Sequence, residues 1–344
     1  MNIQEIQKLY GVLPQGNAMI KTMEEKSVRT IFLQGLLASA TPMFFASIVK
    51  RWQKTILFVL NDNDEAGYFY NDLKTIAMPD NANEQTAEVL FFPSSYRRAV
   101  KYGQRDAGNE ILRTEVLSRL SVINEEKTTS SLPLCIVTEP SALAELVVAK
   151  HKLDEHTLSM SVGKTIDLTE TEKTLRSYGF QQVDYVYEPG QFAVRGSILD
   201  VYSFSSELPY RIDFFGNDVD TIRTFEVETQ LSKDKKEKVE IVPELATLSE
   251  EKIPFLQFLP KDSVLVMKDL LYIHDTIERI YNEGFTAQAL TEQLEGRTEV
   301  EQNELRKQLQ ANLQLVTAQQ FADDALNFKR IEFGTKHTNA KAII

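Results

Sequence analysis

The chain of 344 residues holds one cysteine, one tryptophan and four histidines. A single thiol rules out an internal disulfide framework. Cys135 lies inside the apolar run 134–137 and reads as a small core residue. No stretch reaches the roughly 18 apolar residues of a membrane-spanning helix. The opening MNIQEIQKLYG has neither a basic cluster nor a long apolar stretch, so no secretory leader is expected and the cytoplasm is the expected compartment. His151, His156, His274 and His337 are scattered without ligand spacing, and no metal is expected. Asp218 and Asp220 lie beside a turn with no third ligand near them in sequence. No serine sits in a nucleophile elbow. No catalytic constellation emerges, so the chain is not expected to be an enzyme and no cofactor is implied. Cations are also in short supply, with 38 Lys and Arg against 50 Asp and Glu and a net charge of -12. That balance excludes a chain-wide nucleic-acid footprint and leaves room only for a local basic patch.

What is present is an ordinary globular composition, 42% apolar and 26% charged. The length calls for two or three domains. Residues 1–153 alternate strands and helices. A short opening helix over residues 3–10 is followed by a loop. Strands are expected at 30–34, 55–60, 89–92 and 134–138, and helices at 39–52, 64–76, 108–121 and 140–149. Such alternation predicts a mostly parallel sheet covered on both faces.

In that fold the loop after the first strand is where phosphate chemistry would sit. It reads Gly35-Leu36-Leu37-Ala38-Ser39-Ala40-Thr41-Pro42. A phosphate loop would carry Gly-Lys-Ser/Thr where this chain has Ala40, Thr41 and Pro42. The phosphate-holding lysine and the magnesium-holding hydroxyl are both missing, and the proline removes a backbone donor. The placement is that of a nucleotide site without its chemistry. Asp62, Asp64 and Glu65 follow the second strand and read as a solvated turn and helix start. Arg97, Arg98, Lys101 and Arg105 make the most basic loop of the chain, read as a solvated or internally paired loop.

The rhythm breaks near residue 156. A helix over 168–178, with Gly179 as its C-cap, leads to the densest strand signal of the chain. Strand runs are expected at 191–202, 210–215 and 221–225, with a turn at Gly216-Asn217-Asp218. Alternation places Tyr210, Ile212 and Phe214 on one face, and Arg211, Asp213 and Phe215 on the other. In the first run Phe192, Val194 and Ile198 share a face, and Ala193, Arg195 and Ser197 oppose it. An aromatic beside arginines is the usual chemistry of a protein-binding hot spot. Strand ends often bury both faces, however, and the pattern alone favours a core Phe215. Residues 233–238 read as a solvated hairpin tip or edge strand. Beyond 243, a strand at 264–267, a helix at 269–282, a long amphipathic helix over 299–310 and a closing strand at 328–333 are expected to complete the first sheet.

The stretch 188–201, followed by 207–223, resembles the signature of bacterial transcription-repair coupling factors and, more loosely, the excision-repair helicase UvrB. The resemblance implies a degenerate P-loop NTPase-like α/β body similar to UvrB domains 1a and 1b, over 1–153 and 243–344. An α+β domain similar to UvrB domain 2 would be inserted at 154–242. In the family that inserted domain recruits UvrA, and the contacting residues fall on Arg195, Arg211 and Phe215. The family has lost its ATP site in this module, in agreement with Ala40, Thr41 and Pro42. This chain departs from UvrB at Ala193, where UvrB has a further arginine, and has no clear counterpart of the damage-gripping hairpin. The full-length factors also engage RNA polymerase and double-stranded DNA with a translocase motor, and their C-terminal domain masks the UvrA surface. The chain is therefore expected to be an N-terminal piece, exposing that surface. Arg211→Ala is expected to abolish UvrA binding with the fold intact. A UvrB-like ATP-dependent helicase subunit and a DNA-binding module using the basic loop are the competing readings.

Overall fold

The computed structural model describes residues 2–79, 84–95, 107–125, 132–245, 251–283 and 315–334. In chain order the elements are α1 (Ile3–Gly11), α2 (Pro14–Glu24), β1 (Thr30–Gln34), α3 (Ala40–Trp52), β2 (Ile56–Val59), α4 (Asn63–Ala77), β3 (Glu88–Phe92), α5 (Ala107–Glu125) and β4 (Leu134–Thr138). Next come α6 (Pro140–Leu143), β5 (Leu146–Val148), α7 (Lys150–Glu155), β6 (Leu158–Ser161), α8 (Leu168–Ser177), β7 (Gln181–Gln182), β8 (Gln191–Arg195), β9 (Ile198–Val201), β10 (Tyr210–Phe215) and β11 (Asp218–Phe225). The chain closes with β12 (Ser232–Lys236), β13 (Lys238–Ile241), β14 (Lys252–Pro254), α9 (Phe255–Phe258), β15 (Val264–Met267), α10 (Leu270–Glu283), α11 (Ala318–Ala325) and β16 (Lys329–Gly334). Two compact units result. One gathers Met1–Gln104, Asn124–Val147 and Ile253–Ile344, and the other Arg105–Ile123 and Val148–Lys252.

The first unit is a mixed α/β layer on a six-stranded sheet in the order β1-β16-β15-β2-β4-β3. Every pairing in that sheet is parallel. Strand β2 is buried along its whole length, as expected of a central strand covered on both faces. Its core gathers Phe45, Phe58 and Phe69 in a chain of edge-on and tilted rings with Ile31, Val266 and Ile331. The tail strands β15 and β16 enter between β1 and β2, so sequence-distant segments complete one sheet.

The second unit is an α+β insertion. Its sheet runs β12-β11-β10-β9-β8-β7. From β8 to β12 all neighbours are antiparallel. One face packs Phe192, Leu199, Val201, Ile212, Phe214 and Ile222 against Met160, Leu175, Phe180, Val239 and Ile241. Helix α8 is N-capped by Asp167, whose carboxylate accepts from Glu170 N at 3.1 Å, and Gly179 follows it with φ +85°.

Three expectations give way here. The loop expected after residue 10 contains α2, begun by Pro14 at its first turn, with Met19 and Met23 in the core. The helix expected over 140–149 stops at Leu143, because residues of the tail capture its backbone. Val316 N donates to Ala144 O at 2.8 Å, Glu145 bridges to Leu315, and Leu146-Val147-Val148 continue as a strand. The single run 191–202 is a hairpin, turned at Gly196 with φ +62° so that Arg195 faces Ile198. The helix expected over 299–310, the basic loop of Arg97, Arg98, Lys101 and Arg105, and the last ten residues lie outside the described residues.

Candidate functional site

The antiparallel register brings Ala193, Asp200, Arg211 and Arg223 side by side across β8, β9, β10 and β11. They lie on the sheet face opposite the main core. Asp200 is wholly buried there. A carboxylate without water needs charged partners, and two arginines supply them. Arg211 grips it through both ends of its fork, Nε to Oδ1 at 2.7 Å and Nη2 to Oδ2 at 2.9 Å. Arg195 reaches the same Oδ2 from β8. The Arg211 guanidinium also lies over the Phe225 ring, 4.4 Å from its centroid, and donates to Gln230 O at 3.0 Å. Hydrogen bonding to Asp200 pushes the Arg211 pKa further up, against the effect of burial, so its charge is permanent.

Phe215 ends β10 83% exposed, the most exposed large apolar residue among the described residues. The hairpin explains its place. Phe214 N donates to Ser197 O at 2.9 Å, which sets the end of β10 beside the Gly196-Ser197 turn. The core reading of Phe215 from pattern alone is thus corrected: alternation holds to the strand end, and among the described residues nothing covers it. The two arginines are less exposed than alternation implies. The side chain of Arg211 keeps 15% of its surface and that of Arg195 36%. Asp213 is likewise half-buried, accepting from Thr221 Oγ1 at 2.6 Å and paired with Arg223.

The residues that build this face coincide with a known family model. The chain carries a UvrB interaction domain. The match covers residues 158–246, all within the second unit. Among curated relatives, the transcription-repair-coupling factor of Escherichia coli (strain K12) is 33% identical over 128 residues, 37% of this chain and 11% of the relative. That of Bacillus subtilis (strain 168) is 26% identical over 248 residues, 69% of this chain and 19% of the relative. That of Staphylococcus aureus (strain USA300) is 38% identical over 86 residues, 25% of this chain and 7% of the relative. The chain thus spans less than a fifth of the length of each of these relatives.

Within the UvrB interaction domain, sequence reasoning missed Asp200 and Arg223. Neither breaks the alternation, and only the register shows that Asp200 faces Arg211 and that Arg211 faces Arg223. The arginine that UvrB carries at position 193 would enter an occupied place, since Ala193 is buried with Val186 and Phe225.

Outside that domain, the loop after β1 turns its donors inward. Gly35 N donates to Gly334 O, Ala40 N to Leu37 O, Thr41 N to Ala38 O and Met43 N to Ser39 O, at 3.0–3.2 Å. Pro42 has no N–H, and Thr41 and Pro42 are buried in the first turn of α3. The N–H groups of Gly35, Ala40 and Thr41 are thus bonded to carbonyls and are not offered to a ligand. Asp62 caps α4 by accepting from Glu65 N at 2.9 Å. Glu65 is not a solvated acid. It is ion-paired with Lys268, which arrives at the end of β15 beside β2, and burial pulls the Lys268 pKa down. The Cys135 thiol is buried and its pKa pushed far up by desolvation, which makes it unreactive. His274, Asp275 and Glu278 bring their donor atoms within 4.8 Å of one another on α10, a grouping that the scattered histidines did not reveal. Two of the three are exposed acids, which gather in this way without any ion. No helix of the described residues is long and apolar enough to cross a membrane.

Proposed function

We propose that this chain is a non-catalytic docking module of a transcription-repair coupling factor, and that the outward face of its UvrB interaction domain binds UvrA. The observation that carries this reading is the exposed Phe215 ring at the end of β10, on the same sheet face where two guanidinia clamp a buried carboxylate. A rigid aromatic anchor flanked by preorganised arginines is the composition of an interface hot spot, because little side-chain entropy is lost on binding. The match of this region to the UvrB interaction domain and the likeness to transcription-repair-coupling factors support the same reading. In this scheme residues 1–153 and 243–344 form a body of the UvrB 1a/1b kind, interrupted in sequence by the module at 154–242, and engagement of RNA polymerase and duplex DNA belongs to other parts of the longer protein. The inward-bonded loop at Gly35 to Pro42 favours a scaffold role for that body over ATP hydrolysis.

Phe215→Ala is the decisive variant. The ring packs on little within its own chain, so its removal should leave the unfolding temperature unchanged. Binding to UvrA, measured by calorimetric titration, should weaken by about 2 kcal/mol or more. Wild-type affinity in that variant would refute the docking reading. Arg211→Ala is a poorer test than its sequence position promised, because it strands the Asp200 carboxylate as well as removing a contact.

A further inference from the structure

The outward face of the UvrB interaction domain carries more cations than Arg195 and Arg211. The register continues from Arg211 to Arg223 and from Arg223 to Lys235, so three cations stand directly opposite one another across β10, β11 and β12. Like charges in facing positions destabilise a sheet. The carboxylates on this face are already engaged, Asp200 by Arg195 and Arg211, and Asp213 by Arg223 and Thr221. Four cations therefore stand with three carboxylates on this surface, the third being exposed Asp218 opposite Phe215, which accepts from Thr165 Oγ1 at 2.6 Å, within a chain whose net charge is -12. Arg223 is held in place yet not saturated. Its terminal nitrogen rests on Asp213, while its enclosed Nε has no hydrogen-bond partner among the described residues. Lys235 is exposed on the edge strand, where all five residues face solvent.

We infer that Arg223 and Lys235 extend the docking face across β11 and β12, and that the surface seated on them is a carboxylate-bearing face of the protein partner. This inference rests on the docking reading above. A protein surface can place single carboxylates against Arg223 and Lys235 and an apolar pocket over Phe215. A phosphate backbone would meet exposed Asp218 opposite Phe215 and the acidic remainder of the chain, which repel it.

The test titrates the whole chain into UvrA at low and moderate salt, with Phe215→Ala, Arg223→Ala, Arg223→Lys and Lys235→Glu, each checked by thermal unfolding. Arg223→Ala is expected to weaken binding on the order of tenfold, and Arg223→Lys to recover part of that loss. Lys235→Glu should cost a few-fold and flatten the salt dependence, as a rim charge does. Should Arg223→Ala unfold, Lys235→Glu on the exposed edge decides alone. Wild-type affinity in the Arg223 and Lys235 variants, with binding lost in Phe215→Ala, overturns the extension and leaves the docking reading standing. Wild-type affinity in all four removes both. Loss of duplex-DNA binding in the Arg223 and Lys235 variants, with UvrA affinity unmoved, assigns the row to phosphates and overturns the carboxylate partner.

Discussion

A carboxylate removed from water is tolerated only when its oxygens are paired, and Asp200 shows how much can be organised by meeting that requirement. Both its oxygens are held by guanidinia, one from β8 and one from β10. The arginines are thereby fixed in orientation before any partner arrives. Asp200→Ala leaves two positive groups without their counter-ion beside an apolar shelf of Val186, Ala193 and Phe225. It is expected to destabilise the second unit by about 3 kcal/mol, read from urea unfolding. Arg211→Ala should share most of that loss, whereas Phe215→Ala should show none of it. A ranking with Phe215→Ala as destabilising as Asp200→Ala would contradict the distinction drawn between clamp and anchor. Of these residues, alternation placed Arg195 and Arg211 on the outward face, and Phe215 was singled out by the motif resemblance while the pattern alone left it in the core. Asp200 was not legible, since nothing in its own neighbourhood says which residue it will face.

At the scale of elements, α2 shows where local reading fails. A proline and a glycine within three residues, Pro14 and Gly16, look like loop punctuation. In the fold the proline opens the helix and the glycine lets it lie close to α3. A Cβ on Gly16 would sit 2.8 Å from Ile48 Cγ2 and 2.8 Å from the Arg51 side chain. Arginine can swing away, but the buried Ile48 cannot. Gly16→Ala gains helix propensity of about 1 kcal/mol and loses roughly 1–3 kcal/mol to overpacking. A net fall in stability is expected, measured as a lower unfolding midpoint; a rise would mean that α2 does not pack on α3 as closely as described. The helix after β4 fails for the opposite reason. Its sequence is compatible with continued helix, and a bridge to distant Leu315 and a hydrogen bond from Val316 take its backbone instead.

For the molecule as a whole, the two units hold separate cores, and the acid dependence of the first can be stated from one group. Glu139 is buried at the end of β4, where Oε2 accepts from Ser141 N at 2.6 Å and Oε1 from Ala142 N at 3.1 Å. Burial raises its pKa above the ordinary glutamate value, outweighing those hydrogen bonds, with the Glu145 charge adding to the rise. Between the ordinary and the raised value the folded chain holds a proton that the unfolded chain has released. Stability due to this group is therefore full below that interval and falls as pH rises through it. Glu139→Gln cannot titrate and should flatten this part of the curve, seen by urea unfolding from about pH 4 to about pH 8. An unchanged slope in the variant would show that Glu139 titrates alike in both states.

The sequence by itself determined the strands at 30–34, 134–138, 210–215 and 264–267, the alternation along β10, and the missing chemistry of the loop after β1. These features depend on residues a few positions apart, so period and side-chain type suffice to read them. Only the tertiary structure decided that Lys268 neutralises Glu65, that tail residues end the helix after β4, that Asp200 clasps two arginines, and that Phe215 stands in solvent. Each of those outcomes is set by which distant strand lies alongside, and a buried charge or an uncovered ring exists only once that neighbour is known.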